Sequence, residues 1–461
     1  MSRASLLSRA VFASSRISVP QCRTHIQSHS PTTTPGHPTK QPSPPPPVSK
    51  LLPPLSLMPT PLLLRSYLLT SILASPTFLR LSMPLLNTIA HSPSPLLNPD
   101  KNRLVGISIR RIIYDHFVAG DCEENVKRTV MQMKKTGYKG VILGYAKEYA
   151  FDAGDAGNEE ADVQRWKDGY LRTMGMIGPG DFMAIKLSGA GRSTLEALAN
   201  KEPPPAKMWA EVLEICEAAK ARGLRAWIDA EQQDLQPTID DWTCQLMQRF
   251  NKDGKAFMYN TFQAYLKSTP ATIAKYLRVA QNEGWTLGVK LVRGAYMATE
   301  KRELIHDTIE DTHHAYDTIV ANLLQREYPG VESSSRPYPD VALMLASHNE
   351  ASIKSAHAIQ TSLVESGRPT IELEYGQLQG MADEISCRLL QLGGDGQRGK
   401  TTAQLRPKAF KCLAWGSTQE SLQFLLRRVQ ENGDALARTG CWVRAFRREI
   451  WRRVRGSLGF S

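Results

Sequence analysis

The sequence predicts an α/β protein: a distorted (β/α)8 barrel of the TIM type, preceded by a disordered targeting and linker region and by short N-terminal helices. Two observations lead to this prediction. From about residue 115, short apolar runs alternate with longer stretches of helical periodicity, and there are eight such runs. Regular alternation of strand and helix indicates parallel βαβ units, and eight units in succession favour a closed barrel.

The eight apolar runs are the predicted barrel strands. In chain order they are Gly140–Ala146, Phe182–Ser188, Leu224–Glu231, Ala256–Gln263, Leu287–Gly294, Val341–Asn349, Thr370–Leu378 and Ala409–Gly416. Helical patterns between and after them include Met208–Arg222, Thr272–Glu283 and Glu420–Ala435. A doubly wound sheet is the alternative, but it would normally carry a glycine-rich phosphate loop directly after its first strand, and none follows the first run. We expect the barrel domain to span residues 115–436.

The first hundred residues have a different composition. Residues 1–30 combine serine and apolar residues with no acid and with four arginines, Arg3, Arg9, Arg16 and Arg23. This composition is typical of a mitochondrial transit peptide. Residues 31–61 are rich in proline, serine and threonine and predict a linker. Prolines and two arginines interrupt the leucine-rich stretch 51–88, so it falls short of the roughly 18–20 apolar residues of a membrane span. We expect residues 62–114 to form short helices that pack on the barrel or lie on a membrane surface.

The positive charge is concentrated at the amino terminus. The chain of 461 residues has a formal net charge of +12, of which +7 falls in residues 1–100. The remaining part is close to balanced, so the charge does not imply a nucleic-acid partner. The seven cysteines are scattered and show no metal-ligand spacing, which favours a reducing compartment and no metal.

Polar residues stand at the carboxyl ends of the predicted strands. Active sites of (β/α)8 barrels lie at that end, because loops from all eight strands meet there. The set comprises Lys186, Asp229, Glu231, Asn260, Gln263, Lys290, Arg293, Tyr296, Ser347, His348, Asn349, Tyr375 and Gln377. Buried polar groups need partners, and here the partners are one another or a polar ligand.

The last predicted helix adds two adjacent arginines. Arg427 and Arg428 can bind a carboxylate through bidentate contacts, and Glu431 lies one turn further on, where it can orient a guanidinium. No metal-binding motif and no Ser-His-Asp arrangement is legible. The set therefore favours a small anionic substrate beside an anionic or polar cofactor.

Several long segments resemble the proline dehydrogenase family. They are GVKLVRGAYMATEKR (288–302), WIDAEQQDLQPTI (227–239), NTFQAYLK (260–267), ASHNEASI (346–353), YGQLQGMADE (375–384) and FLLRRVQEN (424–432). They occur in the family's order and fall on the predicted strand ends. The segment SPLLNPDKN (94–102) is similar to the mitochondrial members.

This resemblance implies a function and a set of site residues. It implies oxidation of L-proline to 1-pyrroline-5-carboxylate by FAD, which the barrel holds without a Rossmann domain. Electrons would pass to ubiquinone, with peripheral contact to the inner mitochondrial membrane on its matrix side. The implied catalytic residues are Asp229, Lys290 and Lys186. The implied substrate-binding residues are Lys186, Tyr296, Arg427, Arg428, Glu431 and Cys412. The implied FAD-binding residues are Ala230, Gln263, Lys290, Val292, Arg293, Gly294, Ala295, Ser347 and His348. Side-chain alternation puts Arg293 on the face opposite Lys290, so we expect its backbone to bind FAD and its side chain to pair with an acid.

Three positions depart from the family's pattern. Cys412 stands where members commonly have tyrosine, in a position that shapes the substrate pocket. Ile309 and His313 stand where lysine and aspartate are expected, so a flavin contact from that loop is not predicted.

Two other functions stay open. A lyase barrel would use Lys186 or Lys290 as a Schiff-base nucleophile. A non-catalytic matrix protein would keep the fold alone. The tail, residues 437–461, holds seven arginines and several aromatic residues, which fits a basic helix on an anionic membrane or a solvated capping helix.

Overall fold

A computed structural model of the chain describes residues 52–146, 159–252, 254–332, 336–394, 405–431 and 433–458. The predicted transit peptide and most of the predicted linker lie outside the described residues. The domain boundaries given above stay predictions.

Eight parallel strands close into a barrel, which confirms the predicted fold class. Each of the eight apolar runs contains one barrel strand, and a short strand, β1, precedes them and pairs with β9. The barrel closes because β2 pairs with both β3 and β9. The strands are β1 Val118–Gly120, β2 Gly140–Tyr145, β3 Phe182–Ile185, β4 Arg225–Ile228, β5 Met258–Gln263, β6 Leu287–Val292, β7 Val341–Ala346, β8 Glu372–Leu378 and β9 Lys408–Trp415.

Helices surround this barrel and continue beyond it. They are α1 Thr60–Leu73, α2 Pro76–His91, α3 Arg103–Ile109, α4 Asp115–Phe117, α5 Glu123–Thr136, α6 Glu159–Gly175, α7 Arg192–Asn200, α8 Ala206–Ala221, α9 Gln236–Phe250, α10 Thr269–Glu283, α11 Ile309–Gln325, α12 Glu350–Glu365, α13 Asp383–Gly394, α14 Thr418–Glu431 and α15 Gly433–Ser457. The predicted last helix, Glu420–Ala435, falls on α14 up to Glu431 and on α15 from Gly433, and residue 432 between them lies outside the described residues.

The barrel interior is a packed core with a salt bridge at its amino-terminal end. Arg225 donates to both carboxylate oxygens of Glu374, at 2.8 and 3.0 Å. Its guanidinium lies 3.9 Å from the centre of the Phe182 ring, in a layer of inward-facing aromatic side chains. The side chains of this layer close the barrel from below, so a ligand can enter only from the other end.

The N-terminal helices pack on the barrel's last helices. Leu63 of α1 lies in an apolar cluster with Phe446 of α15, and Ala90 of α2 lies in another with Leu426 of α14. Arg453 of α15 donates to the carbonyls of the turn before α1. The expected packing of short N-terminal helices is therefore observed.

In the described ranges, only one bent pair of helices has the length and composition of a membrane span. No single helix there is long and apolar enough to cross a bilayer, whereas Thr60–Leu73 and Thr77–His91, which meet at 95°, reach that length and composition together.

A glycine-rich stretch lies between α13 and β9. Residues 394–401 read GDGQRGKT and fit the letters of both common phosphate-loop patterns. Those patterns describe a loop between a strand and the start of a helix. Here the stretch follows α13 and precedes β9, which is the reverse order, and residues 395–404 lie outside the described residues. The match does not change the fold class.

Candidate active site

A cavity of about 590 Å³ opens at the carboxyl ends of the barrel strands. This is the position that the strand-end polar residues predict. Fourteen of the predicted site residues line it: Lys186, Asp229, Ala230, Gln263, Lys290, Val292, Arg293, Gly294, Ala295, Tyr296, Ser347, His348, Cys412 and Arg428. Their roles stay predictions.

Lys290 and Asp229 form an ion pair in the cavity wall. Lys290 Nζ lies 2.6 Å from Asp229 Oδ1 and 4.1 Å from the centre of the Trp227 ring. The indole Nε1 donates to the same Oδ1 at 2.9 Å. Burial raises the pKa of Asp229, but the charges of Lys290, Lys186 and Arg428 outweigh it, and the pKa lies below its ordinary value. The carboxylate is therefore an anion held among cations.

Trp227 lines the cavity and is absent from the predicted site residues. It lies on β4, two positions before Asp229, which directly follows that strand, and both side chains line the cavity. Side-chain alternation could have identified it, because residues two positions apart on a strand lie on the same face. An ammonium over an indole face gains cation–π attraction, which adds to its ion pair.

A second carboxylate lies beside Lys186. Glu231 is buried, and its Oε1 accepts a hydrogen bond from the Ser188 backbone at 3.2 Å. Burial raises the pKa of Glu231, although Lys186 and Ser188 oppose the shift. Lys186 itself is anchored through its backbone, which donates to the Tyr170 hydroxyl at 2.9 Å.

The loops after β4 and β6 are tied together over one side of the cavity. The Tyr296 hydroxyl donates to the Ala230 carbonyl at 3.0 Å. Gln263 lies between the loops; its Nε2 donates to the Glu231 carbonyl, and its Oε1 accepts from the Ala295 backbone. Burial raises the pKa of Tyr296 to about 12, so the phenol is neutral.

Gly294 has a structural reason to be glycine. Its φ is +152°, and a Cβ there would overlap the Tyr265 ring. A side chain would therefore meet both backbone strain and a clash. The atoms that occupy the Cβ position of Gly294 are those of the Tyr265 ring.

The Arg293 side chain donates hydrogen bonds to two serines and a histidine, and the acid expected beside it stays a prediction. Its guanidinium donates to Ser347 Oγ and Ser352 Oγ, both at 2.8 Å, and to His313 Nδ1 at 3.0 Å. It also lies 4.3 Å from the centre of the Tyr316 ring. His313, one of the departures from the family's pattern, thus contacts a residue of the cavity wall, while Ile309 is exposed.

His348 accepts a hydrogen bond from the backbone of the neighbouring strand. The Leu378 backbone N–H donates to His348 Nε2 at 3.1 Å. A nitrogen that accepts is unprotonated, so the neutral ring carries its proton on Nδ1. The strand pairing between β7 and β8 therefore sets the tautomer of a cavity residue.

The two adjacent arginines of α14 differ in position. Arg428 lines the cavity, whereas Arg427 is not among the described residues that line it. Successive helical residues point about 100° apart, so one helix face cannot present both equally. The side chain of Glu431 lies outside the described part of the structure.

Cys412 faces the cavity from β9. Burial raises the pKa of its thiol to about 11, with Lys290 opposing, so the sulfur is neutral. A neutral thiol is a small, weakly polar surface, and it leaves room that a tyrosine would fill.

Small residues leave open space at the carboxyl-terminal end of the barrel. Five inward-facing positions that line the cavity are glycine or alanine: Gly144, Ala184, Ala346, Gly376 and Ala414. Above the aromatic layer, such positions leave room for a flat group. In the described part of the chain, no cluster of three or more His, Cys, Asp or Glu side chains could hold a metal ion.

The family model for proline dehydrogenase matches residues 126–440, which include all the strands that close the barrel. The chain belongs to the proline dehydrogenase family. The match also includes every predicted site residue.

Two relatives carry the family's name. Proline dehydrogenase 1, mitochondrial, of Caenorhabditis elegans is 32% identical over 276 residues, which are 58% of this chain and 41% of that protein. The probable proline dehydrogenase, mitochondrial, of Schizosaccharomyces pombe is 34% identical over 257 residues, or 54% of this chain and 50% of that protein. The chain thus spans half the length of these proline dehydrogenases or less.

A third relative has a different substrate in its name and matches over a longer stretch. The hydroxyproline dehydrogenase of Homo sapiens is 26% identical over 406 residues, which are 77% of this chain and 83% of that protein. Among solved structures, proline utilization A from Bdellovibrio bacteriovorus, inactivated by N-propargylglycine, has a TM-score of 0.60 at 15% identity, over 79% of this chain and 38% of that one. This likeness supports the barrel fold.

Proposed function

We propose that this proline dehydrogenase family member oxidises L-proline to 1-pyrroline-5-carboxylate with FAD and passes the electrons to ubiquinone. The observation that carries the proposal is the polar cavity at the carboxyl ends of the strands. Arg428, Lys186 and the Lys290–Asp229 pair converge on it in a chain that belongs to the family.

The cavity suits FAD by its chemistry and by its shape. A dinucleotide offers a negative pyrophosphate and flat rings. The Arg293 backbone and the Gln263 amide would hold the dinucleotide, with the Lys290 ammonium near the flavin, and the small residues above the aromatic layer leave room for the flat rings. Ala230, Val292, Gly294, Ala295, Ser347 and His348 complete the proposed binding set. When bound, FAD accepts the hydride that leaves carbon 5 of proline.

Arg428 is the proposed partner of the substrate carboxylate. A guanidinium binds a carboxylate through two parallel hydrogen bonds, which fix orientation as well as position. Such orientation holds the reacting carbon close to its acceptor, which is a main source of catalysis in transfer reactions. Tyr296 and Cys412 then line the space that is left for the proline ring.

The cations also favour the reactive form of the substrate. The proline nitrogen must be neutral for its lone pair to assist loss of the hydride. Lys186, Lys290 and Arg428 make the site positive, which disfavours a protonated amine there. Asp229 is ionised, and its hydrogen bonds to Lys290 and Trp227 orient the carboxylate in the wall.

A flavin absorption spectrum with a proline titration tests the proposal. We expect the purified chain to be yellow and to bleach when proline is added without oxygen. A colourless protein that is trapped covalently by borohydride with a carbonyl substrate would instead support the Schiff-base lyase. A protein that binds neither would support the non-catalytic alternative.

Hydroxyproline is the second candidate substrate. The match to human hydroxyproline dehydrogenase spans 83% of that protein, more than the matches to the two proline dehydrogenases. Cys412 leaves room that the family's usual tyrosine would fill. Turnover of both amino acids by the wild type and by Cys412→Tyr decides: a preference for hydroxyproline that tyrosine abolishes would favour this substrate.

Mitochondrial location and membrane contact are the remaining parts of the proposal. The arginine-rich start and the two relatives named as mitochondrial support a mitochondrial location, and the matrix side of the inner membrane is the position that we propose. Exposed apolar side chains on α1 and α2, such as Leu68 and Leu81, and exposed Trp451 beside the arginines of α15 suit an anionic membrane.

Vesicle flotation tests the membrane part. Because α15 packs on α1, deleting the tail would uncover an apolar cluster, so substitutions are preferable. Glutamine at Arg444, Arg447, Arg448 and Arg455 should weaken flotation with anionic vesicles and leave unfolding unchanged. Undiminished flotation would show that these arginines of α15 do not bind the membrane.

A further inference from the structure

Lys411 is a buried lysine that the cavity does not use. It follows Phe410 and precedes Cys412 on β9, and both neighbours face the barrel interior. Lys411 therefore faces the helix layer, where only 2% of its surface is exposed. A charge buried to this degree is costly unless it is paired and hydrogen-bonded.

All three partners of the ammonium belong to one turn. Lys411 Nζ donates to the Leu378 carbonyl at 3.3 Å, to the Met381 carbonyl at 3.1 Å and to Asp383 Oδ1 at 3.0 Å. Leu378 ends β8 and Asp383 begins α13, so residues 379–382 are the whole connection. One side chain thus binds both ends of the turn and a carbonyl within it.

The turn has a conformation that must be held. Ala382 has a φ of +51° and Gly380 a φ of +72°. A residue with a Cβ is uncommon in the left-handed region, and it stays there when its surroundings impose it. The three hydrogen bonds of Lys411 can hold the turn in this conformation.

This turn is also part of the cavity wall. Leu378, Gln379 and Met381 line the cavity. The Leu378 N–H donates to His348 Nε2, and the Gln379 N–H donates to the Cys412 carbonyl at 2.9 Å. A shift of the turn would therefore move two cavity residues on neighbouring strands.

We propose that Lys411 is a positioning residue, which fixes residues 378–382 and through them the wall at His348 and Cys412. The inference rests on the proposed oxidation of proline, because the wall that it shapes is that of the proposed active site. Lys411 does not touch the reacting groups; it acts through the turn.

The test compares three full-length variants. Lys411→Met removes all three hydrogen bonds. Asp383→Asn keeps an acceptor oxygen and both carbonyl bonds. Lys134→Met is the matched control, because Lys134 also pairs with a buried aspartate, Asp181, at 2.6 Å, but at the amino-terminal end of β3. If the methionine variant at 411 does not fold, Lys411→Gln, which keeps one donor, replaces it.

Two readouts separate structure from function. Hydrogen–deuterium exchange of the peptide spanning 377–383 reports on the turn without any activity. We expect exchange at least tenfold faster in Lys411→Met, a smaller increase in Asp383→Asn, which leaves the buried ammonium without its counter-charge, and unchanged exchange in Lys134→Met. We also expect the KM for proline to rise at least tenfold in Lys411→Met at full flavin loading, by less in Asp383→Asn, and by less than twofold in Lys134→Met.

The outcomes are distinct. Unchanged exchange in Lys411→Met would overturn the inference that Lys411 holds the turn. Faster exchange with an unchanged KM and kcat would overturn the positioning role. A wild-type chain that binds no flavin and oxidises no proline would overturn the proposed function and the positioning role, whereas the exchange result would still decide whether Lys411 holds the turn.

Discussion

Lys290 Nζ lies 2.6 Å from Asp229 Oδ1, and the Trp227 indole contacts both partners, with its face toward the ammonium and its N–H toward the carboxylate. The pair joins β4 to β6 across the inside of the barrel, over the intervening β5. It places one positive and one negative group side by side in the cavity wall, so each partly neutralises the charge that the other presents to the cavity.

The pair should behave as one unit in catalysis. We expect Lys290→Met and Asp229→Asn each to lower kcat/KM for proline by about 100-fold, on the scale of losing one electrostatic partner in an active site. The double variant should be no worse than the poorer single variant. A double-mutant cycle measures this, and additive losses would contradict the coupling.

Arg428 should carry most of the carboxylate binding. Because it lines the cavity, Arg428→Ala should raise the KM for proline by about 10- to 100-fold, as expected for loss of a charged hydrogen bond. Arg428→Lys should recover part of this loss. Arg427→Ala is the comparison, and an equal effect there would mean that both guanidinium groups reach the carboxylate.

The salt bridge at the other end of the barrel should affect stability without affecting catalysis. Arg225→Met leaves Glu374 buried without its partner, and we expect the free energy of unfolding to fall by about 3–5 kcal/mol. Arg225→Met with Glu374→Leu should recover much of the loss. Chemical denaturation checks both variants, and the kcat of the folded protein should stay at the wild-type value.

Asp240 should make the fold less stable as the pH rises. Burial raises the pKa of this residue to about 6, although Asn260 and Gln236 donate to it and oppose the shift. The folded state therefore holds a proton that the unfolded state releases near pH 4, so this contribution to stability falls between about pH 4 and pH 6.

Asp240→Asn tests this pH dependence. Both hydrogen bonds end on the same oxygen, Oδ1, which asparagine keeps. We expect the variant to be more stable than the wild type at pH 7.5, by on the order of 1–3 kcal/mol, and about equal to it near pH 4. Urea denaturation at both pH values measures the difference. A less stable variant at pH 7.5 would show that the ionised form is the favoured one.

The amino-acid pattern alone predicts the barrel, the end at which its cavity opens, and eleven of the polar residues at the strand ends that line it. These features depend on local rules. Side chains alternate along a strand, so the interior position of Lys290 follows from its place between Val289 and Leu291. The same rule could have identified Trp227, because it lies two positions before Asp229.

Which groups meet depends on the tertiary structure. Lys290 and Asp229 are 61 positions apart, and their contact depends on the tilt and register of strands around the closed barrel. The rotation of α14, set by its packing on α2, decides that Arg428 and not Arg427 lines the cavity. Likewise, Gly294 is explained by Tyr265 and Arg293 by His313, Ser347 and Ser352, partners brought near by loop and helix packing. Local periodicity fixes the face of a strand on which a side chain lies, but its partner depends on free energy summed over the whole fold.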